Sequence, residues 1–102
     1  MESIKLGNWA LENNEIVKDY FQNNFPDFIL LEQTAHGPFW GVKYIKNNIV
    51  INVKGDIGFY IEIIIDGNLY DLWQYDRSVN NYQKTSNENI LSQLSILKSF
   101  LE

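Results

Sequence analysis

The sequence predicts an α+β domain: an N-terminal helix, a four- to five-stranded antiparallel meander sheet and a C-terminal helix, with both helices on one face of the sheet. Three observations carry this. Apolar residues recur at helical spacing near both ends of the chain, and the middle reads as short β-rich runs. Those runs are separated by turns so tight that neighbouring strands must be antiparallel.

The first helix rests on Ile16, Val17, Tyr20 and Phe21, which follow the i, i+1, i+4, i+5 pattern of one helical face. Trp9 lies upstream as an extension of that face, and Asn13 or Asn14 is a candidate N-cap between them. Pro26 ends the helix by Asn24 or Phe25. The doublets Asn13-Asn14, Asn23-Asn24, Asn47-Asn48 and Asn80-Asn81 read as helix ends and turns, because Asn tolerates the left-handed region and caps backbone groups.

The β-rich runs are Phe28–Gln33, Phe39–Lys46, Ile49–Lys54, Ile57–Ile65 and Leu69–Tyr75. Between them stand His36-Gly37-Pro38, Asn47-Asn48, Gly55-Asp56 and Asp66-Gly67-Asn68, all good hairpin or loop formers. Arg77 to Lys84 is polar and irregular. Thr85-Ser86-Asn87-Glu88 then has the form of a capping box. Ile90, Leu91, Leu94, Leu97 and Leu101 follow at helical spacing, with Lys98 in the last turn where it suits the helix dipole.

Residues directly opposite in a ladder share a face, so loop length decides which face is apolar. A two-residue Gly55-Asp56 loop would set Lys54 against Ile57 and Asn52 against Phe59. Burying those polar groups costs about 1–3 kcal/mol each. A loop one residue longer sets Val53 with Ile57, Ile51 with Phe59 and Ile49 with Ile61, and is the expected register. The core face is then Val42, Tyr44, Ile49, Ile51, Val53, Ile57, Phe59, Ile61, Ile63, Ile65, Tyr70 and Leu72. The opposite face collects Lys43, Asn52, Lys54, Tyr60, Glu62, Ile64, Asp71, Trp73 and Tyr75. Such a Tyr/Trp/acid mixture resembles the make-up of binding surfaces, where aromatics supply contact area at little entropic cost. The plainer reading is that aromatics simply favour strands, or that loop 76–84 covers them.

At 102 residues the chain is one domain, spanning 1–102, and 45% hydrophobic content is enough for it to fold alone. Thirteen acidic residues against eight basic give a net charge of −5, which opposes direct nucleic-acid binding and favours encounter with basic partners. The absence of cysteine removes disulfides, thiolate metal sites and a Cys nucleophile together. Met1-Glu2-Ser3-Ile4-Lys5 has no secretory pattern, and the apolar stretch Ile61–Ile65 is too short to span a bilayer, so a cytoplasmic protein without membrane contact is expected.

Motifs for chemistry are weak. The single histidine, His36, has no visible nucleophile or metal-ligand partner and reads as a turn residue. Asp66, Asp71 and Asp76 recur every five residues, yet they fall in a turn and at a strand end, where carboxylates do not converge. Gly55-Asp56-Ile57-Gly58 lacks the spacing of a phosphate-binding loop. No catalytic residue, metal or cofactor is expected, and the chain reads as a binder.

The stretch Phe25-Pro26-Asp27-Phe28-Ile29-Leu30-Leu31, followed by His36-Gly37-Pro38-Phe39-Trp40-Gly41, resembles small bacterial immunity proteins. These are the antitoxins paired with polymorphic toxins, including those of contact-dependent growth inhibition. The resemblance lies in the pattern of elements and implies a cytoplasmic, non-enzymatic protein that binds a toxin domain, often a basic nuclease, as a monomer or weak homodimer. The residues expected to bind the partner are Tyr60, Glu62, Asp71, Trp73, Tyr75 and Asp76, read from the exposed face and the end of the last strand. Two alternatives remain open: an adaptor subunit assembling through that face or an edge strand, and a small-molecule binder with Trp40, Tyr44 and His36 around a pocket.

Overall fold

The computed structural model describes residues 2–102, with side chains from Trp9 onward. Met1 of the Met1–Lys5 stretch lies outside the described residues. Helix α1 (Glu2–Asn24) leads into five strands: β1 (Ile29–His36), β2 (Phe39–Lys46), β3 (Ile49–Gly55), β4 (Phe59–Ile65) and β5 (Asn68–Asp71). A short helix α2 (Leu72–Tyr75), a 3₁₀ helix (Arg77–Tyr82) and helix α3 (Asn87–Leu101) complete the chain. The strands form one sheet in sequence order, every neighbour antiparallel.

Turn chemistry sets this meander. Asn47 stands at φ 54 in the β2–β3 turn, as an asparagine tolerates. Asp66 and Gly67 take φ values of 54 and 82, the pair of positive angles a type I′ hairpin turn demands. These two turns lie at the same end of the sheet and are joined: the Asp66 N–H donates to the Asn48 carbonyl at 3.2 Å.

The β3–β4 loop has the expected three residues but sits two residues later than expected. Gly55 pairs with Phe59, leaving Asp56, Ile57 and Gly58 in the loop. A Cβ on Gly55 would lie 2.3 Å from the Gly58 carbonyl, so the chain reverses at the one residue that permits it. Val53 therefore faces Ile61 instead of Ile57, and Ile51 faces Ile63. The slip is an even number of residues, so every side chain keeps its expected face. Ile57 is the exception: placed in the loop, it is 73% exposed and is not a core residue.

Strand β5 is shorter than expected. It ends at Asp71, and Leu72–Tyr75 is helical. The Gln74 side-chain oxygen accepts the Asp71 N–H at 3.0 Å, which closes this turn. Leu72 is buried as expected, but from a helix, while Tyr70 on the edge strand is half exposed. The capping box also moves. Ser86, not Thr85, caps α3, its Oγ accepting the Asn89 N–H at 3.1 Å. Thr85 is held elsewhere, its hydroxyl donating to the Asp56 carbonyl at 2.7 Å and its N–H to Ile57.

Both long helices close over the inner face. Val17 and Phe21 of α1, Ile90, Leu94 and Leu97 of α3, and Val42, Tyr44, Ile51, Val53, Phe59, Ile61 and Ile63 of the strands belong to one buried cluster. Each such side chain contributes about 1.5–3 kcal/mol on burial. Phe21 stacks on Tyr44 with ring centroids 4.0 Å apart and planes within 4°. That burial raises the Tyr44 pKa above its ordinary value, with the Glu15 and Asp19 carboxylates adding to the shift.

Asn13 and Asn14 are not caps; α1 runs unbroken through them, and both are buried. The Asn14 carboxamide bridges the β1–β2 hairpin. Its Nδ2 donates to the Thr34 carbonyl at 2.8 Å, and its Oδ1 accepts the Gly41 N–H at 2.9 Å. Thr34 and Gly41 are themselves directly paired, so one side chain pins the helix to both strands at that point.

Candidate interaction surface

The inner face holds the helices, and the outer face is laid out by register as three rows of side chains across the strands. The first runs Thr34, Gly41, Lys54, Tyr60. The second runs Glu32, Lys43, Asn52, Glu62, Asp71 and crosses all five strands. The third is apolar throughout: Ile29, Ile45, Val50, Ile64, Leu69. Ile29 and Leu69 at its ends are exposed, and the three residues between them are half-buried.

The middle row is only partly neutralised. Lys43 lies 3.2 Å from Glu32, an exposed pair that contributes about 0–1 kcal/mol. Asn52 donates to Glu62 at 3.2 Å, and Lys54 stands 4.0 Å from the same carboxylate while lying over the Tyr60 ring. Glu62 and Asp71 face each other directly across β4 and β5. Like charges so placed are destabilising. Among the described residues no cation lies within ion-pair distance of Asp71.

Gly41 leaves a dip in the first row. A Cβ there would stand 3.0 Å from that of Lys54 and 3.2 Å from the Val53 carbonyl, so the glycine lets β2 and β3 approach. Around it opens a cleft of about 550 Å³, walled by Thr34, Phe39, Lys43, Lys54 and Tyr60 among others. A glycine inside a strand pattern is a sequence signal for close approach, and it could have pointed here.

Of the six residues expected to bind a partner, Tyr60, Glu62 and Asp71 share the outer face as read. The other three do not join them as a continuing strand. Trp73 is exposed on α2, where the alternation of a strand no longer applies. Tyr75 turns to α3: its hydroxyl lies 3.1 Å from Ser99 Oγ and its ring meets Phe100 edge-on at 5.1 Å. Asp76 caps the 3₁₀ helix, accepting from the Ser78 hydroxyl at 2.7 Å and the Ser78 N–H at 2.9 Å. Those two bonds hold its carboxyl below the usual carboxylate range.

Trp40, Tyr44 and His36 do not surround one pocket. Trp40 is buried, with its indole N–H on the Asp56 carbonyl at 3.3 Å, Tyr44 is stacked under α1, and His36 is exposed beside the β1–β2 turn. Among the described residues no three His, Asp or Glu side chains gather to hold a metal ion. No described helix is long and apolar enough to cross a membrane. Comparison with protein-family models, with curated proteins and with solved structures finds no match.

Proposed function

We propose that this chain is an immunity protein, which binds and neutralises a cognate bacterial toxin domain through the outer face of its sheet and catalyses nothing itself. The observation that carries this is a bare sheet face crossing five strands, on which an apolar row lies beside a charged row with uncompensated acid. Apolar area anchors a complex, and the acidic excess steers a basic partner toward it. The net charge of −5 acts in the same direction over longer distances. A toxin that reaches the cytoplasm would be met there.

An adaptor role has one observation of its own: β1 is an edge strand whose residues are all exposed. A protection assay separates the readings. Cells making the toxin domain encoded beside this gene are expected to survive when the wild-type chain is present. A Trp73→Ala/Asp71→Ala double variant, verified as folded by its melting curve, is expected to protect poorly. Full protection by that variant would remove this end of the face from the interface, and no protection by the wild type would end the immunity reading.

A further inference from the structure

We infer that two copies of this chain pair through the outer face of the sheet, related by a two-fold axis along β3, so that β2 of each copy packs over β4 of the other. The inference goes beyond the immunity reading and does not depend on it.

The register of the strands makes the face self-complementary. Strands β2 and β4 run parallel to each other on either side of β3. A two-fold axis along β3, midway between two stacked sheets, therefore lays each row of one copy on the same row of the other. Gly41 then lies opposite Tyr60 of the second copy, Lys43 opposite Glu62 and Ile45 opposite Ile64. A dip meets a knob, a cation meets an acid and an apolar residue meets its like, and the symmetry makes each contact twice. Tyr60 is 44% exposed. Stacked sheets lie about 10 Å apart, a gap its ring spans to reach the dip over Gly41. One step further along, Phe39 is 54% exposed, and Gly58 borders the same cleft without a side chain. Bulk again falls over glycine.

The charges are free to pair in this way. Asn52 and Lys54 both reach Glu62 through Oε1, and among the described residues no hydrogen bond or ion pair reaches Oε2. Lys43 meets only Glu32 among the described carboxylates, and its ammonium has donors to spare. A two-fold axis across the strands would instead set Lys43 on Lys43, Glu62 on Glu62 and Gly41 on Ile45. Along β3 the apolar row also closes on itself, Val50 on its own copy and Ile29 over Leu69. Two contacts oppose the pairing, Lys54 on its own copy and Glu32 near Asp71. The face also measures only about 20 Å by about 20 Å, from the strand spacing and the two-residue repeat. The dimer is therefore weak and reversible, at the small end of specific interfaces. A toxin that docks on this face competes with the second copy.

The experiment is sedimentation velocity on the full chain from about 1 µM to about 1 mM, with melting curves to show that each variant is folded. The wild type is expected to pass from monomer to dimer over that range. Lys43→Glu and Glu62→Lys should each weaken self-association about tenfold or more, because each sets like charges against the second copy. Mixed in equal amounts, the two should associate at least as tightly as wild type, since one chain then brings only acids and the other only bases to positions 43 and 62. Tyr60→Ser should weaken association about tenfold or more. Lys54→Gln should strengthen it by removing the repulsion at the axis. Leu91→Ser, at a residue of α3 as exposed as Tyr60, should associate as wild type. A wild type that stays monomeric throughout, a folded Tyr60→Ser that associates unchanged, or folded charge variants that fail to pair on mixing would overturn the inference. None of these results bears on the immunity reading, which the protection assay tests.

Discussion

Asn13 and Asn14 are adjacent, buried and chemically identical, yet the structure gives them opposite energetic roles. Asn14 donates to Thr34 and accepts from Gly41. Asn13 has a buried Nδ2 with no partner among the described residues. Truncating Asn14 to alanine removes two hydrogen bonds, each contributing about 0.5–1.5 kcal/mol net. Where the strand groups cannot close on each other across the gap, desolvation adds about 1–3 kcal/mol. The expected cost is therefore about 2–6 kcal/mol, a large part of a total stability of about 5–15 kcal/mol. For a domain of this size about 1 kcal/mol shifts the melting temperature by about 4–8 °C, so even the low end of that cost should make Asn14→Ala melt about 8–16 °C lower. Asn14→Asp should be worse still near neutral pH, because it sets a buried carboxylate against the Thr34 carbonyl. Asn13→Ala should fall much less, having no hydrogen bond from Nδ2 to lose. Urea and thermal melts followed by circular dichroism read all three. Equal losses at both positions, or an Asn14→Ala variant within a few degrees of wild type, would refute the claim that the bridge pins α1 to the hairpin.

Leu94 is fully buried in the core cluster, and Leu94→Ala should cost about 2–5 kcal/mol in a urea titration; an unchanged midpoint would mean α3 does not hold the core. Ser78→Ala should move the Asp76 titration upward toward the ordinary carboxylate range in NMR, since the Ser78 hydroxyl supplies one of the two bonds that lower it. Because the folded pKa is depressed, the stability gained from those bonds is present above the ordinary carboxylate pKa and disappears as pH falls through the lowered value. The stabilities of wild type and Ser78→Ala should therefore converge in strong acid, and a constant difference across pH would contradict the assignment.

What could be read from the sequence follows from which signals are local. Asn47 and Asp66-Gly67 announce their turns because their backbone angles suit few other residues. Tyr60 and Glu62 fell on the correct face despite a displaced β3–β4 loop, since an even slip preserves alternation. Leu72–Tyr75 was illegible for the opposite reason. Leu72 points inward in either conformation and Trp73 and Tyr75 favour strands, while the contacts that accompany the helical turn, Tyr75 on Ser99 and Phe100, come from residues more than twenty positions away. Asn14 likewise reads as a helix cap until the hairpin that it bonds is in place. The apolar outer row could not be assembled beforehand, because Ile29, Ile45, Val50, Ile64 and Leu69 meet only once four registers are known.

The choice between the outer face and the β1 edge as the docking surface turns on how open that edge is. An edge strand that receives another chain needs a regular run of free backbone groups. Strand β1 lacks one: its register shifts between Leu30 and Glu32, which leaves Leu31 as an extra residue opposite β2. A bulge bends and twists the strand that carries it, and this is a common way of protecting an edge against strand addition. Beyond the bulge, Glu32 projects a charge beside the edge and Asn14 holds the Thr34 carbonyl. At the other side of the sheet β5 has only four residues before the chain turns away, too short a template for stable pairing. Both edges are thus blunted, while the face between them remains uncovered. A partner can bury the apolar row from above without disturbing either edge, and its affinity would then respond to Leu69→Ser while a proline placed in the middle of β1 at Gln33 would act on folding alone.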